Sequence, residues 1–142
     1  EIGYIPQNFY ILDDTILENI VFGEENKYIN HDKINKIIKT TLLKDLIDEL
    51  PKGLNTIVGP NGKKISGGQA QRLAIARALY QETSLMVFDE ATNSLDQNTE
   101  NEIMNYIYSL KDKTVIIITH NENILYKCSR VFKIIDKKIE PN

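Results

Sequence analysis

The sequence has little that would tie it to the outside of a cell or to a polyanion. It contains one cysteine, Cys128, so no disulfide can form within the chain, and a reducing compartment is the better expectation. Its 17 lysines and arginines are outnumbered by 20 aspartates and glutamates, giving a formal charge of −3. No basic block gathers into a patch, so nothing in the charge favours nucleic acid as a partner. No apolar run reaches the length of a membrane span and no charged leader precedes an apolar stretch, so the stretch itself reads as soluble. Internal repeats and low-complexity segments are also missing. The first residue is Glu1 rather than methionine, and the chain runs straight into "IGYIPQ", which reads like the interior of a domain; a piece of something larger is the expectation.

What remains is an ordinary globular balance, with 42% hydrophobic and 26% charged residues over 142 positions, the size of one domain. "GYIP" reads as a strand ending at Pro6 and Gln7. A short helix over "TILENIVFG" is predicted, capped by Asp14 or Thr15 and stopped at Gly23. The segment "HDKINKIIKTTLLKDLIDEL" sets Ile34, Ile37, Ile38, Leu42, Leu46 and Leu50 at helical spacing, before Pro51 and Gly53 end it. "LMVF" (Leu85 to Phe88) and "VIII" (Val115 to Ile118) read as buried strands, with a helix from about Gln97 to Leu110 between them. "VFKII" reads as a last strand before a polar tail. Aliphatic strands alternating with helices predict a parallel sheet covered on both faces. One long helical insertion separates the first strand from the others.

In an open parallel sheet, ligands bind beyond the carboxyl ends of the strands. Gln7, the pair Asp89 and Glu90, and His120 each stand just past such an end. An aspartate can hold Mg²⁺ through water, a neighbouring glutamate can take a proton from an attacking water, and an imidazole can bond a phosphoryl oxygen. Structural alternatives stand beside each of these. Acidic residues after a strand serve as helix caps, and a lone histidine there is a cap or surface residue.

"KKISGGQAQRLAIARALY", Lys63 to Tyr80, poses a different question. Its helix is apolar on nearly every side except at Gln69, Gln71, Arg72 and Arg77, so it should be buried, yet it begins on Ser66, Gly67 and Gly68. A helix start presents unpaired N–H groups, and glycines let a phosphate approach them. The alternative is tight packing of a buried helix start.

Taken together, these segments resemble the nucleotide-binding domain of ABC ATPases from Gly3 to Asp136. "ISGGQ" (Ile65 to Gln69) resembles the signature motif, "LMVFDE" the Walker B strand, "SLD" (Ser94 to Asp96) the D-loop, His120 the switch histidine and Gln7 the Q-loop glutamine. The resemblance implies an α/β, partial P-loop NTPase (ABC ATPase) fold: a parallel sheet with helices on both faces plus an inserted helical subdomain. It divides the chain into 1–14 (Q-loop strand and loop), 15–80 (helical subdomain ending in the signature helix) and 81–142 (catalytic core with Walker B, D-loop and H-loop). The implied cofactors are ATP and Mg²⁺. Asp89 would bind Mg²⁺ water, Glu90 would be the general base, Gln7 would sense Mg²⁺ and couple to a partner domain, and His120 would contact the γ-phosphate. Ser66, Gly67, Gly68 and Gln69, with Asp96, would face a nucleotide held by an opposite subunit, so the implied partner is a second nucleotide-binding domain, homo- or heterodimeric, arranged head to tail.

The family's P-loop, G-x-x-x-x-G-K-[ST], is absent. "GPNGKK", Gly59 to Lys64, fails the pattern, since position 57 is Ile and no Ser or Thr follows the lysine. The chain by itself is therefore expected to bind ATP poorly and not to hydrolyse it, and a sheet edge and apolar surface are expected to lie uncovered. "NFYILDDTILENIVFG" and "LPKGLNTIVGPNGKKISGGQ" resemble exporters, in which a transmembrane domain of the same polypeptide precedes this domain at the cytoplasmic face of the membrane. Pro60 and Ala70 depart from that pattern, which usually carries an acidic residue and an arginine there. The competing class is a soluble ABC ATPase of DNA repair or translation, against which the exporter-like loop after Gln7 argues.

Overall fold

A computed structural model describes residues 2–60 and 63–141; positions 61 and 62, inside "GPNGKK", lie outside the described residues. Strand β1 (Ile2–Ile5) stops where Pro6 removes a donor, β2 is Leu85–Asp89 and β3 is Thr114–Ile118. They form a three-stranded parallel sheet in the order β1-β2-β3. Ile5 lies beside Phe88, Phe88 beside Ile117 and Asp89 beside Ile118, so all three strands end together.

Between β1 and β2 runs the helical insertion. Helix α1 (Ile16–Val21) is capped by Thr15, whose hydroxyl accepts from the Glu18 N–H at 3.0 Å, and it ends at Phe22 and Gly23, both at positive φ. Asn30 caps α2 (His31–Thr40) in the same way, and Ile34, Ile37 and Ile38 are buried from it. The continuous helix expected over 31–50 is broken here. Leu42 takes φ +53°, the Leu43 N–H reaches back to the Ile38 carbonyl, and a new helix, α3 (Lys44–Glu49), starts beyond. This turn buries Leu43 completely, in place of the predicted Leu42.

Helix α4 (Gly67–Tyr80) joins the two halves of the core. Its Ala70, Leu73, Ala76 and Tyr80 pack with Ile11, Ile16, Ile20, Ile34 and Leu43 of the insertion. Its Ile75 and Ala78 pack instead with Ile5, Met86 and Phe88 of the sheet. Helix α5 (Gln97–Ser109) adds Ile103, Met104 and Ile107 to that second cluster, and α6 (Glu122–Leu125) adds Ile124.

Among the described residues, these helices cover one face of the sheet. The other carries Ile2, Tyr4, Ile116 and Ile118, all about half exposed or more. The apolar surface expected to lie uncovered is therefore present, on the face away from α4 and α5. "VFKII" does not extend the parallel sheet: β4 (Phe132–Ile135) pairs antiparallel with β5 (Lys138–Pro141), so the stretch expected to be a polar tail is the second arm of a hairpin. Asp136 and Lys137 turn it, both at positive φ, the geometry a tight two-residue hairpin requires.

Candidate functional site

The register of the sheet brings the strand-end residues to one edge. Glu90 follows Asp89, its N–H bonds the Ile118 carbonyl at 2.9 Å, and its backbone turns sharply to φ +48°. This is a sparsely populated conformation for a residue with a Cβ, held here by the contacts on both sides. The carboxylate is gripped by three donors. Gln7 Nε2 lies 2.5 Å and Asn93 Nδ2 3.0 Å from Oε2, while His120 Nε2 lies 2.8 Å from Oε1. The Glu90 side chain is 15% exposed and the His120 side chain 93%, so an enclosed carboxylate is reached from solvent by an exposed imidazole.

Asp89 sits one residue back, on the open face of the sheet. Its Oδ2 accepts from the Tyr4 hydroxyl at 2.8 Å, and that hydrogen bond, followed by burial and the carboxylate's charge, raises the tyrosine's pKa above its ordinary value. Neither Asp89 nor Glu90 caps a helix. The cap of α5 is Asp96, which accepts from the N–H groups of Asn98 and Thr99, and the hydrogen bonding to Thr99 pulls its pKa below the usual carboxylate range. The cap of α6 is Asn121, so His120 is free of that duty as well.

The Ser66 start of α4 forms a capping box: its hydroxyl accepts from Gln69 N–H at 3.2 Å and the Gln69 side chain accepts from Ser66 N–H at 2.7 Å. The two glycines differ. A Cβ on Gly67 would meet nothing within 4 Å, whereas one on Gly68 would stand 3.1 Å from the Ser94 carbonyl. Open approach thus describes Gly67, and close packing describes Gly68. No hydrogen bond among the described residues joins Ser66, Gly67, Gly68 or Gln69 directly to Gln7, Glu90 or His120. Gln71, almost fully buried, connects them by accepting the Ser94 N–H at 2.9 Å.

Tyr4, Asn93 and Gln71 were not singled out as site residues from sequence. Gln71 had a signal, being polar in a buried helix; Asn93 had a fainter one, three residues past Glu90 in a turn-forming stretch.

The α/β fold, the parallel strand ends and this cluster define a nucleotide-binding class, and the profile described as ABC transporter matches residues 1–93. The chain belongs to the ABC transporter family. The lactococcin-G-processing and transport ATP-binding protein LagD of Lactococcus lactis subsp. lactis is 37% identical over 130 residues, 92% of this chain and 18% of that protein. The mitochondrial iron-sulfur clusters transporter ATM1 of Kluyveromyces lactis is 46% identical over 122 residues, 84% of this chain and 17% of that protein. A bacterial Atm1-family ABC exporter solved with ATP bound matches with a TM-score of 0.83 at 33% identity, over 92% of this chain and 23% of that one. The chain spans about a fifth of the length of these relatives. No helix among the described residues is long and apolar enough to cross a membrane.

Proposed function

We propose that these residues form the hydrolytic and signature-bearing part of an ATPase domain that drives export. The observation that carries the reading is the convergence of Gln7, Asn93 and His120 on the enclosed carboxylate of Glu90, at the shared end of three parallel strands. In this reading Glu90 accepts a proton from water as that water's oxygen attacks the γ-phosphorus of ATP; the bond from that phosphorus to the β–γ bridging oxygen breaks, and ADP leaves. His120 bonds the terminal phosphoryl group. The Asp89 carboxylate and the Gln7 side-chain oxygen are hard donors on adjacent strand ends, a set that suits Mg²⁺, which keeps much of its water and needs few protein ligands. When bound, that ion would neutralise charge on the phosphates.

Ser66, Gly67, Gly68 and Gln69, with Asp96, face the nucleotide of a second nucleotide-binding domain in the same proposal. The open space around Gly67 at the start of α4 supports assigning them a nucleotide that approaches from outside the chain. The boundaries 1–14, 15–80 and 81–142 follow, with α4 shared between the two cores. The absent P-loop pattern supports assigning catalysis to a longer polypeptide that also carries a transmembrane domain, with this part at the cytoplasmic face. Relatives named for lactococcin G and for iron–sulfur clusters are each similar to this chain over most of its length, which supports placing the choice of cargo outside it.

The test is E90Q in the longer polypeptide. Phosphate release should stop while ATP still promotes a dimer on gel filtration; ordinary turnover by that variant would remove Glu90 from the role of base. The 142-residue chain alone should show no ATP binding by calorimetry, and tight stoichiometric binding would overturn the need for a P-loop.

A further inference from the structure

Three donors hold Glu90, but they are not equivalent. Gln7 reaches it from beyond β1 and His120 from beyond β3, and the reading above, on which this inference rests, gives both of them work at the nucleotide. Asn93 is different because it belongs to the same turn as Glu90. That turn is closed by the Asn93 N–H to the Glu90 carbonyl at 3.3 Å and the Leu95 N–H to the Thr92 carbonyl at 3.0 Å, and it is anchored by buried Ala91 and Thr92. Its entry is pinned by the Glu90 N–H to the Ile118 carbonyl. The Asn93 amide therefore stays within reach of Oε2 whatever Gln7 and His120 do.

We propose that Asn93 is a positioning residue for Glu90. Its amide keeps Oε2 occupied and fixes the carboxylate plane, so that Oε1 is the oxygen left to accept the proton once the imidazole has moved to the phosphate. Without it, the carboxylate rotates about its last torsion, which is broad and only two-fold restrained, and proton transfer depends on a rarer orientation.

The rival account is that Asn93 only closes the turn, a common use of asparagine. The two accounts differ in sign for an isosteric change. Aspartate keeps the shape and the turn-forming habit but replaces the donor with a negative acceptor aimed at Glu90. A structural role predicts N93D to be milder than N93A, whereas positioning predicts it to be harsher.

Steady-state ATP hydrolysis by the native polypeptide carrying these residues decides the matter, with thermal unfolding recorded for each variant. N93A should lower kcat about tenfold, the scale of one hydrogen bond to a charged group, with KM within about twofold of the parent, and N93D should lower kcat further. The proposal is overturned by an N93A kcat within about twofold of the parent, by a loss confined to KM, or by N93D milder than N93A. It is equally overturned if the variants unfold at the assay temperature, since the lesion would then be structural. E90Q assayed alongside separates the two readings: activity retained by E90Q removes the role of Glu90 itself, whereas an inactive E90Q with a fully active N93A removes only the role of Asn93.

Discussion

The carbonyl oxygen of Ser94 stands 3.1 Å from where a side chain on Gly68 would begin, so the start of the signature helix and the loop after Glu90 are packed backbone to backbone. The carbonyl has little freedom to retreat, because its own peptide unit is held by the Leu95 N–H on the Thr92 carbonyl and the preceding one by the Ser94 N–H on Gln71. G68A should therefore destabilise the fold by about 1 kcal/mol despite alanine's better helix propensity, while G67A, with open space around it, should be neutral or slightly stabilising. Urea midpoints of the two variants check this, and equal effects would contradict the packing argument. In the longer polypeptide the order should reverse for function, G67A costing ATP-promoted dimerisation.

Gln71 ties the same two segments together by its side chain. Q71M keeps the volume and removes the acceptor, so the Ser94 amide should exchange with solvent about tenfold faster, at a stability cost of about 1 kcal/mol. Unchanged exchange at Ser94 would show the bond to be incidental.

Arg77 docks the insertion onto α4. Its guanidinium gives Nε to the Asn19 carbonyl at 2.8 Å, Nη2 to the Asn19 side-chain oxygen at 2.7 Å and Nη1 to the Tyr10 carbonyl at 2.8 Å, and burial lowers its pKa. Asn19 is fully buried, so R77M removes the side-chain donor of its carbonyl and leaves its side-chain oxygen with the Leu12 N–H alone. A loss of about 2–3 kcal/mol follows, and R77K should not restore it, because an ammonium lacks the planar fork. Thermal melts of the three proteins are the measurement; R77K matching the parent would refute the geometric claim.

Tyr108 makes stability depend on pH at the alkaline end. Its hydroxyl donates to the Ile124 carbonyl, and burial first, then the charge of Cys128, push its pKa from 10.0 up to about 12. Between those values the unfolded chain releases this proton and the folded chain keeps it. The contribution is thus fully present below about pH 10 and lost as pH rises through about 12. Y108F should lower stability by about 1 kcal/mol at neutral pH and flatten the decline between pH 10 and 12. Urea midpoints across that window test it, and parallel declines in the two proteins would rule Tyr108 out.

The strand-end cluster was legible in the sequence because short aliphatic runs followed at once by Gln7, Asp89, Glu90 and His120 need only a parallel register to bring those residues together. The break at Leu42 was not legible. No glycine or proline marks it; a leucine takes the left-handed conformation there, and the Thr41 hydroxyl bonds the Ile37 carbonyl as the helix ends. The hairpin of β4 and β5 was hidden for the same reason, since Asp136 and Lys137 make a turn usually written with Asn-Gly or Asp-Gly. Asn93 and Tyr4 owe their contacts to side-chain direction in a turn and across a strand pair, which periodicity does not carry.

The pairing of Ile2 with Leu85 has a consequence for synthesis. At about 5–20 residues per second, β1 leaves the ribosome roughly 4–16 s before its neighbour exists. During that interval the donors and acceptors it will offer to β2 lie unpaired, and the loop to be closed is the whole helical insertion. The insertion can bury Ile16, Ile20 and Ile34 against α4 before β2 has emerged, shortening the effective distance the strand must search. Glu90 and His120 can meet only after β2 and β3 have joined, so a chain able to hold that carboxylate has already closed the whole three-stranded sheet around the insertion.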